Sequence, residues 1–188
     1  MANFQPLKSL LLILMFSLCC TNCSKDDASV DKNVTSLTVK LKSTTNTLDK
    51  VYVDIEDVQL KISDDNSQDA WLSLGAVNQG TYNACDLMAD NPLILVDDLE
   101  IEARYAYEIR LILGDNNFID INQVLHSLDV TELGNAAPSN LINIQLNPKR
   151  RYDLVIDIDV DASVSYNESE NIMILDPKLY TAIRQIEY

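Results

Sequence analysis

Asp157, Asp159 and Asp161 are the residues whose type and spacing come nearest to a chemistry. Asp-x-Asp-x-Asp is how a calcium loop opens, and Ca²⁺ takes six to eight oxygens at roughly 2.3–2.6 Å. The competing reading is a solvated acidic face. Geometry separates the two. On a straight strand, carboxylates two residues apart start about 6.6 Å apart at the backbone, so three reach one ion only where the chain curls. A Ca²⁺ site therefore requires the strand to end near Asp159 and Asp161-Ala162-Ser163 to turn, with Asp115 or Glu168 completing the shell. Beyond that ion no cofactor is expected.

Other chemistry is thinly represented. There is no Gly-x-Ser-x-Gly, no phosphate loop and no histidine pair, because His126 is the sole histidine. Cys85 as a nucleophile would have only His126 as its base. A small buried side chain is the simpler reading of Cys85. No catalytic residue is assigned, and the chain is not expected to be an enzyme. Acidic residues number 29 against 14 Lys and Arg, a net charge of −15, which repels nucleic acid and anionic headgroups.

The aspartates must be positioned by the stretch Arg151–Asp161, around which the rest of the chain is organised. Its even positions, Tyr152, Leu154, Ile156, Ile158 and Val160, are apolar, and four of its odd positions from 153 to 161 are Asp. Side chains alternate across a strand, so one face is apolar and the other acidic. Aspartate is a poor strand former, so packing of the apolar face has to hold the strand.

The same period recurs through the chain. Leu37, Val39 and Leu41 alternate with polar residues over 35–43. Val51, Val53 and Ile55 alternate in one phase and Val58, Leu60 and Ile62 in the other. A β-bulge at Glu56-Asp57 restores the apolar face to the core. Trp71, the single tryptophan, opens a short strand and reads as a core anchor. The segment 80–88 reads as strand or helical turn, 93–96 as a buried strand and 97–102 as an acidic turn. Tyr105, Tyr107, Ile109, Leu111 and Leu113 mark a long strand ended by Gly114-Asp115-Asn116-Asn117. A short strand over 118–121, a loop over 134–140, a strand bearing Ile142, Ile144 and Leu146, and strands over 172–175 and 179–186 complete the list. If Tyr105 and Ile109 face the core, Arg110 lies outward. Were its strand beside the organising strand, Arg110 would form an ion pair with Asp157 and Asp159 worth roughly 0.2–1 kcal/mol. About nine or ten short strands with almost no helical period predict an all-β, antiparallel β-sandwich.

Residues 1–22 read as a signal peptide. Lys8 supplies the positive charge, and Leu10–Cys20 is an apolar run of eleven residues broken by Ser17, short of the roughly 20 that span a bilayer. The run leads into Cys19-Cys20-Thr21-Asn22-Cys23-Ser24-Lys25-Asp26-Asp27. A cysteine closing such a run resembles a lipobox, and Cys-Ser-Lys-Asp-Asp is similar to the mature start of Bacteroidetes lipoproteins. In that group an acidic run after the lipidated cysteine resembles a surface-export signal. Cys23 is the assigned lipidation site, with Cys19 and Cys20 as alternative acceptors. Residues 23–33 read as a flexible tether and 34–188 as a single sandwich domain. With three of the four cysteines in the leader, a disulfide framework is not expected.

Several segments together resemble the bacterial family called domain of unknown function 4382. They are Val51-Tyr52-Val53-Asp54-Ile55-Glu56-Asp57-Val58, Trp71-Leu72-Ser73-Leu74, Asp86-Leu87, Ile109–Asn117, Pro138-Ser139 and Asp157–Val164. The resemblance covers most of residues 35–184. It implies an immunoglobulin-like or transthyretin-like sandwich on a secreted lipoprotein, and no known reaction.

The expected function is that of an envelope-anchored lipoprotein in the outer membrane, attached through its lipid. Its orientation, periplasmic or surface-exposed, is left open. Its sandwich is read as a non-catalytic binding or scaffold domain whose partner is a glycan or another envelope protein. Tyr82, Tyr166 and Tyr180 are the tyrosines placed to stack on sugar rings. The alternatives are an assembly subunit of an envelope or pilus-like complex and a Ca²⁺-binding surface module.

Overall fold

The computed structural model describes residues 33–45, 47–48, 50–130 and 140–186. The leader, Cys23 and all but the last residue of the tether lie outside these residues, as does most of the loop expected over 134–140.

The described residues form thirteen strands: β1 (Val34–Thr44), β2 (Val51–Lys61), β3 (Trp71–Ser73), β4 (Gly80–Asn83), β5 (Leu93–Glu102), β6 (Tyr105–Leu113), β7 (Phe118–Ile121), β8 (Val124–Val130), β9 (Asn140–Gln145), β10 (Arg151–Asp159), β11 (Val164–Asn167), β12 (Ile172–Leu175) and β13 (Lys178–Ile186). Single turns of 3-10 helix follow β4 and precede β3, and one α-helical turn, α1 (Val160–Ser163), follows β10. Among the described residues no helix is long and apolar enough to cross a membrane.

The strands form two sheets. The smaller runs β13-β10-β1-β5. The larger runs β11-β12-β8-β7-β2-β6-β9, with β3 and β4 also on β2. Their inner faces meet in one core, to which Leu37, Val39, Leu41, Leu154 and Ile156 contribute from the smaller sheet and Val53, Val58, Leu60, Ile109 and Leu111 from the larger. This is an all-β sandwich. The pairing is mixed rather than wholly antiparallel: β1 runs parallel to β10, and β12 runs parallel to β8. Parallel neighbours need a long connection. Here most of the domain lies between β1 and β10, which a hairpin-by-hairpin reading of the sequence does not anticipate.

The organising strand behaves as its alternation requires. Tyr152, Leu154, Ile156 and Ile158 are buried, and the odd positions are half-buried. It lies between β1 and β13, so both of its edges are hydrogen-bonded. The bulge on β2 is present, with a register shift against β6 between Ile55 and Asp57. It leaves Ile55 and Val58 buried and Glu56 exposed.

Three local expectations are corrected. Residues 97–102 are not a turn but the second half of β5. The chain stays extended through a bulge in which Asp98 takes a positive φ of 47°. Asp98 is held there because its N–H donates to Thr38 Oγ1 and its carboxylate accepts from Ser36 and Arg151. Tyr105 does not face the core. A register shift between Ala106 and Glu108 puts Ala106 inside and leaves Tyr105 exposed. Trp71 is not a core anchor. It is half-buried on the outer surface, with the Arg110 guanidinium 4.0 Å from its ring centroid and Lys61 Nζ at 5.9 Å.

Candidate functional site

The three aspartates at the end of β10 do not converge. Asp157 meets Lys42 Nζ at 2.5 Å and accepts from Thr44 Oγ1 at 3.1 Å, both from the neighbouring β1. Asp159 caps α1 by accepting the Ala162 N–H at 3.0 Å. Asp161 accepts the N–H groups of Thr47 and Leu48 and the hydroxyls of Thr45 and Thr47, and so holds the β1–β2 connection. The chain does turn after Asp159 as a calcium loop demands. It turns into a helical turn, however, and that sends each carboxylate to a different partner. Among the described residues no group of three or more His, Cys, Asp or Glu is placed to hold a metal ion. Asp115 and Glu168 join no such group. Placed in this way, the three carboxylates do not form the shell of six to eight oxygens that Ca²⁺ takes.

The ion pair of Arg110 with Asp157 and Asp159 is overturned. Arg110 lies on β6 in the larger sheet, whereas both aspartates belong to the smaller one. Its Nε and Nη2 donate to Gln59 Oε1 at 3.0 and 2.7 Å, and its plane covers Trp71. Burial lowers the pKa of this guanidinium. The acidic ladder is neutralised instead by β1, since Lys40 pairs with Asp153 at 2.9 Å beside the Lys42–Asp157 pair.

Cys85 and His126 stand in different environments. Cys85 sits in the core on the 3-10 turn after β4, where burial pushes its thiol pKa up. His126 stands exposed on β8.

A surface concavity lies where two hairpins meet. β7 and β8 are joined by Asn122 and Gln123, with φ of 54° and 67°, the backbone of a type I′ turn. β11 and β12 are joined by residues 168–171. There Asn167 Oδ1 accepts the Ser169 N–H and hydroxyl, and Asn171 takes φ 57°. Parallel pairing of β12 with β8 brings the hairpins side by side. The groove between them measures about 710 Å³ and is lined by Ile121, Leu125, His126, Asp129, Tyr166 and Met173 among others. A second groove of about 460 Å³ shares Ile121, Tyr166 and Met173 with it, so these three form a common wall. The Tyr166 hydroxyl donates to Asn171 Oδ1 at 2.5 Å, which fixes the ring while leaving it 53% exposed. Val124, Leu125 and Ile121 are exposed at the same corner. Apolar surface gathered in this way marks a binding site more often than a bare face does.

Of the tyrosines singled out for stacking, Tyr166 is in this groove. Tyr180 is exposed on the outer face of β13. Tyr82 is half-buried against the core. Leu125 and His126 give no sequence signal as lining residues because β8 has no clean alternation, and Met173 gives none because its strand meets β8 only through a long-range parallel pairing. An Asn-Gln pair between Ile121 and Val124 was the available hairpin signal.

The architecture defines a two-sheet all-β domain with a surface groove between two hairpins. A family model described as domain of unknown function (DUF4382) matches residues 34–177, and the chain belongs to that family. No curated protein and no solved structure matches the chain.

Proposed function

We propose that the chain is an outer-membrane lipoprotein of the Bacteroidetes type, anchored through Cys23, whose sandwich is a non-catalytic module that binds a glycan in the Tyr166 groove. The observation that carries this reading is the exposed Tyr166 ring, pinned by Asn171 beside Leu125 and Met173. A sugar ring presents an apolar face bordered by hydroxyls. The groove answers with an aromatic and apolar wall and with Asn171, Ser127, Asp129 and His126 as hydrogen-bonding groups. The lipid anchor is supported by Lys8, the apolar run that follows it, and Ser24-Lys25-Asp26-Asp27 after Cys23. The burial of Cys85 in the core, with His126 exposed on β8, supports a role without catalysis.

A glycan array probed with the purified protein tests the binding role. A defined set of hits supports it, and an empty array refutes it. Detergent partitioning tests the anchor. Cys23→Ala moves the protein to the aqueous phase if Cys23 carries the lipid, and unchanged partitioning refutes that assignment.

One observation favours a second reading, an assembly subunit of an envelope complex. β11 is the edge strand of the larger sheet, and an edge can accept a strand from a partner. Affinity capture from envelope extracts, with loss of the partner when β11 carries a proline, distinguishes this reading from glycan binding.

A further inference from the structure

The outer face of the smaller sheet carries a second concavity whose charge is opposite to that of the chain. It measures about 410 Å³ and is lined by Lys40, Lys42, Arg184, Asp153, Val155, Ala182, Ala89 and Pro92. Three cations therefore line it with one carboxylate, Asp153, and a second, Asp157, stands beside Lys42 at its edge, in a chain of net charge −15. Register builds the trough. Across β1, β10 and β13 the outward rows read Lys40, Val155, Ala182 and then Lys42, Asp157, Tyr180, while Arg184 stands opposite Asp153. Val155 and Ala182 are short, so they form a low floor between longer side chains. Ala89 and Pro92, from the segment before β5, supply part of the wall.

The polar groups differ in how far they are already engaged. Lys40 holds Asp153 Oδ2, and Lys42 holds Asp157. The Arg184 side chain has no ion pair or hydrogen bond among the described residues. Asp153 Oδ1 is buried without a hydrogen-bond partner, beside a guanidinium that does not reach it. Tyr180, 63% exposed, stands two residues along β13 from Ala182 on the same face. Tyr180 and Arg184 are thus about 13 Å apart along the strand, with only the alanine between them.

The geometry points to a binding site for an acidic saccharide, a chain of uronic acid units lying along β13. The Arg184 guanidinium is the planar donor that a sugar carboxylate meets in a bidentate pair. Asp157, at the edge of the trough, accepts from a sugar hydroxyl. The ring faces lie on Tyr180 and on the Val155–Ala182 floor. This site is separate from the Tyr166 groove and does not depend on the reading given to that groove.

Calorimetric titration of the full-length protein in detergent tests the assignment, with three probes: trigalacturonic acid, its methyl ester and neutral galactotriose. The acid binds, and both uncharged probes bind at least about tenfold more weakly, the size of one charge-assisted hydrogen bond. Arg184→Ala raises the Kd for the acid by about tenfold and Tyr180→Ala by at least about threefold, whereas Tyr166→Ala leaves it unchanged. Added salt weakens the acid alone. Arg184 and Tyr180 are exposed, so both variants keep the wild-type melting curve. No heat with millimolar acid, equal affinity for the ester, or an unchanged Kd in Arg184→Ala overturns the assignment. Loss of acid binding in Tyr166→Ala also overturns it and assigns the acid to the other groove.

Discussion

Gly114 and Asp54 are in contact through both backbone and side chain. The Gly114 N–H donates to the Asp54 carbonyl at 3.0 Å, and the Asp54 carboxylate occupies the space that a Cβ on residue 114 would need. Asp54 Oδ2 also accepts the N–H of Asn116 at 3.2 Å, so the turn after β6 closes over this side chain. Gly114→Ala must displace a carboxylate that is 9% exposed, at a cost of about 1–3 kcal/mol as for other overpacked sites. Urea unfolding of the purified protein measures it. A midpoint equal to wild type would mean that Asp54 moves aside freely.

Asn117 completes the same turn from inside. It is fully buried. Its Oδ1 accepts the Asp54 N–H at 2.8 Å, and its Nδ2 donates to the Gly114 carbonyl at 2.7 Å. Asn117→Ala leaves two buried backbone groups without partners, and each such loss costs about 1–3 kcal/mol. The expected loss in urea unfolding is therefore larger than for Gly114→Ala. A loss below about 1 kcal/mol would show that the backbone finds other partners.

The segment after β2 carries a pH-dependent contact. Asp65 accepts from the hydroxyl of Ser63 at 2.6 Å and from the hydroxyl and N–H of Ser67, and these hydrogen bonds lower its pKa from 3.8 to about 2. A carboxyl with a depressed folded pKa stabilises the fold above its unfolded pKa. That contribution is lost as pH falls through the folded value, here between about 4 and about 2. An NMR titration of Asp65 reads the shift directly. In Ser63→Ala with Ser67→Ala its midpoint rises toward the ordinary aspartate value, and an unchanged midpoint would refute the cause.

Asp161 acts as a structural acceptor for the β1–β2 connection rather than as an ion ligand. Thermal melts in EDTA and in millimolar Ca²⁺ at equal ionic strength therefore give the same midpoint. Asp161→Ala lowers stability by about 1–2 kcal/mol, as loss of a helix cap does. Asp157→Ala, which removes a partly exposed pair with Lys42, costs about 0–1 kcal/mol. A Ca²⁺-induced rise in midpoint that disappears in Asp161→Ala would restore the ion.

These features differ in how far they could be read from residue order. The alternation of 152–160 and the phase change at Glu56-Asp57 were legible because a buried face imposes its period locally. The outward turn of Tyr105 was not, because the bulge at Ala106–Glu108 interrupts a run that alternates without a break in the sequence. Asp98 hid the continuation of β5 in the same way, since its carboxylate serves Ser36 and Arg151 on other strands. Arg110 and Asp157 lie on opposite sheets. Which strands become neighbours depends on pairings far apart in the chain, above all the parallel pair of β1 with β10. The Tyr166 groove stayed hidden for the same reason, because its walls come from β8 and β12. Tyr166 itself was singled out, but its setting was not.

The central claim is that the sandwich binds a glycan through the wall formed by Tyr166, Leu125 and Met173. The most direct measurement compares wild type and Tyr166→Ala on the same glycan array, at matched concentration and with matched melting curves. Stacking of a nucleic-acid base on an aromatic ring is worth roughly 1–3 kcal/mol, and with a sugar face at the low end of that scale every hit assigned to the groove weakens by at least about fivefold in the variant. Identical binding by the two proteins would contradict it.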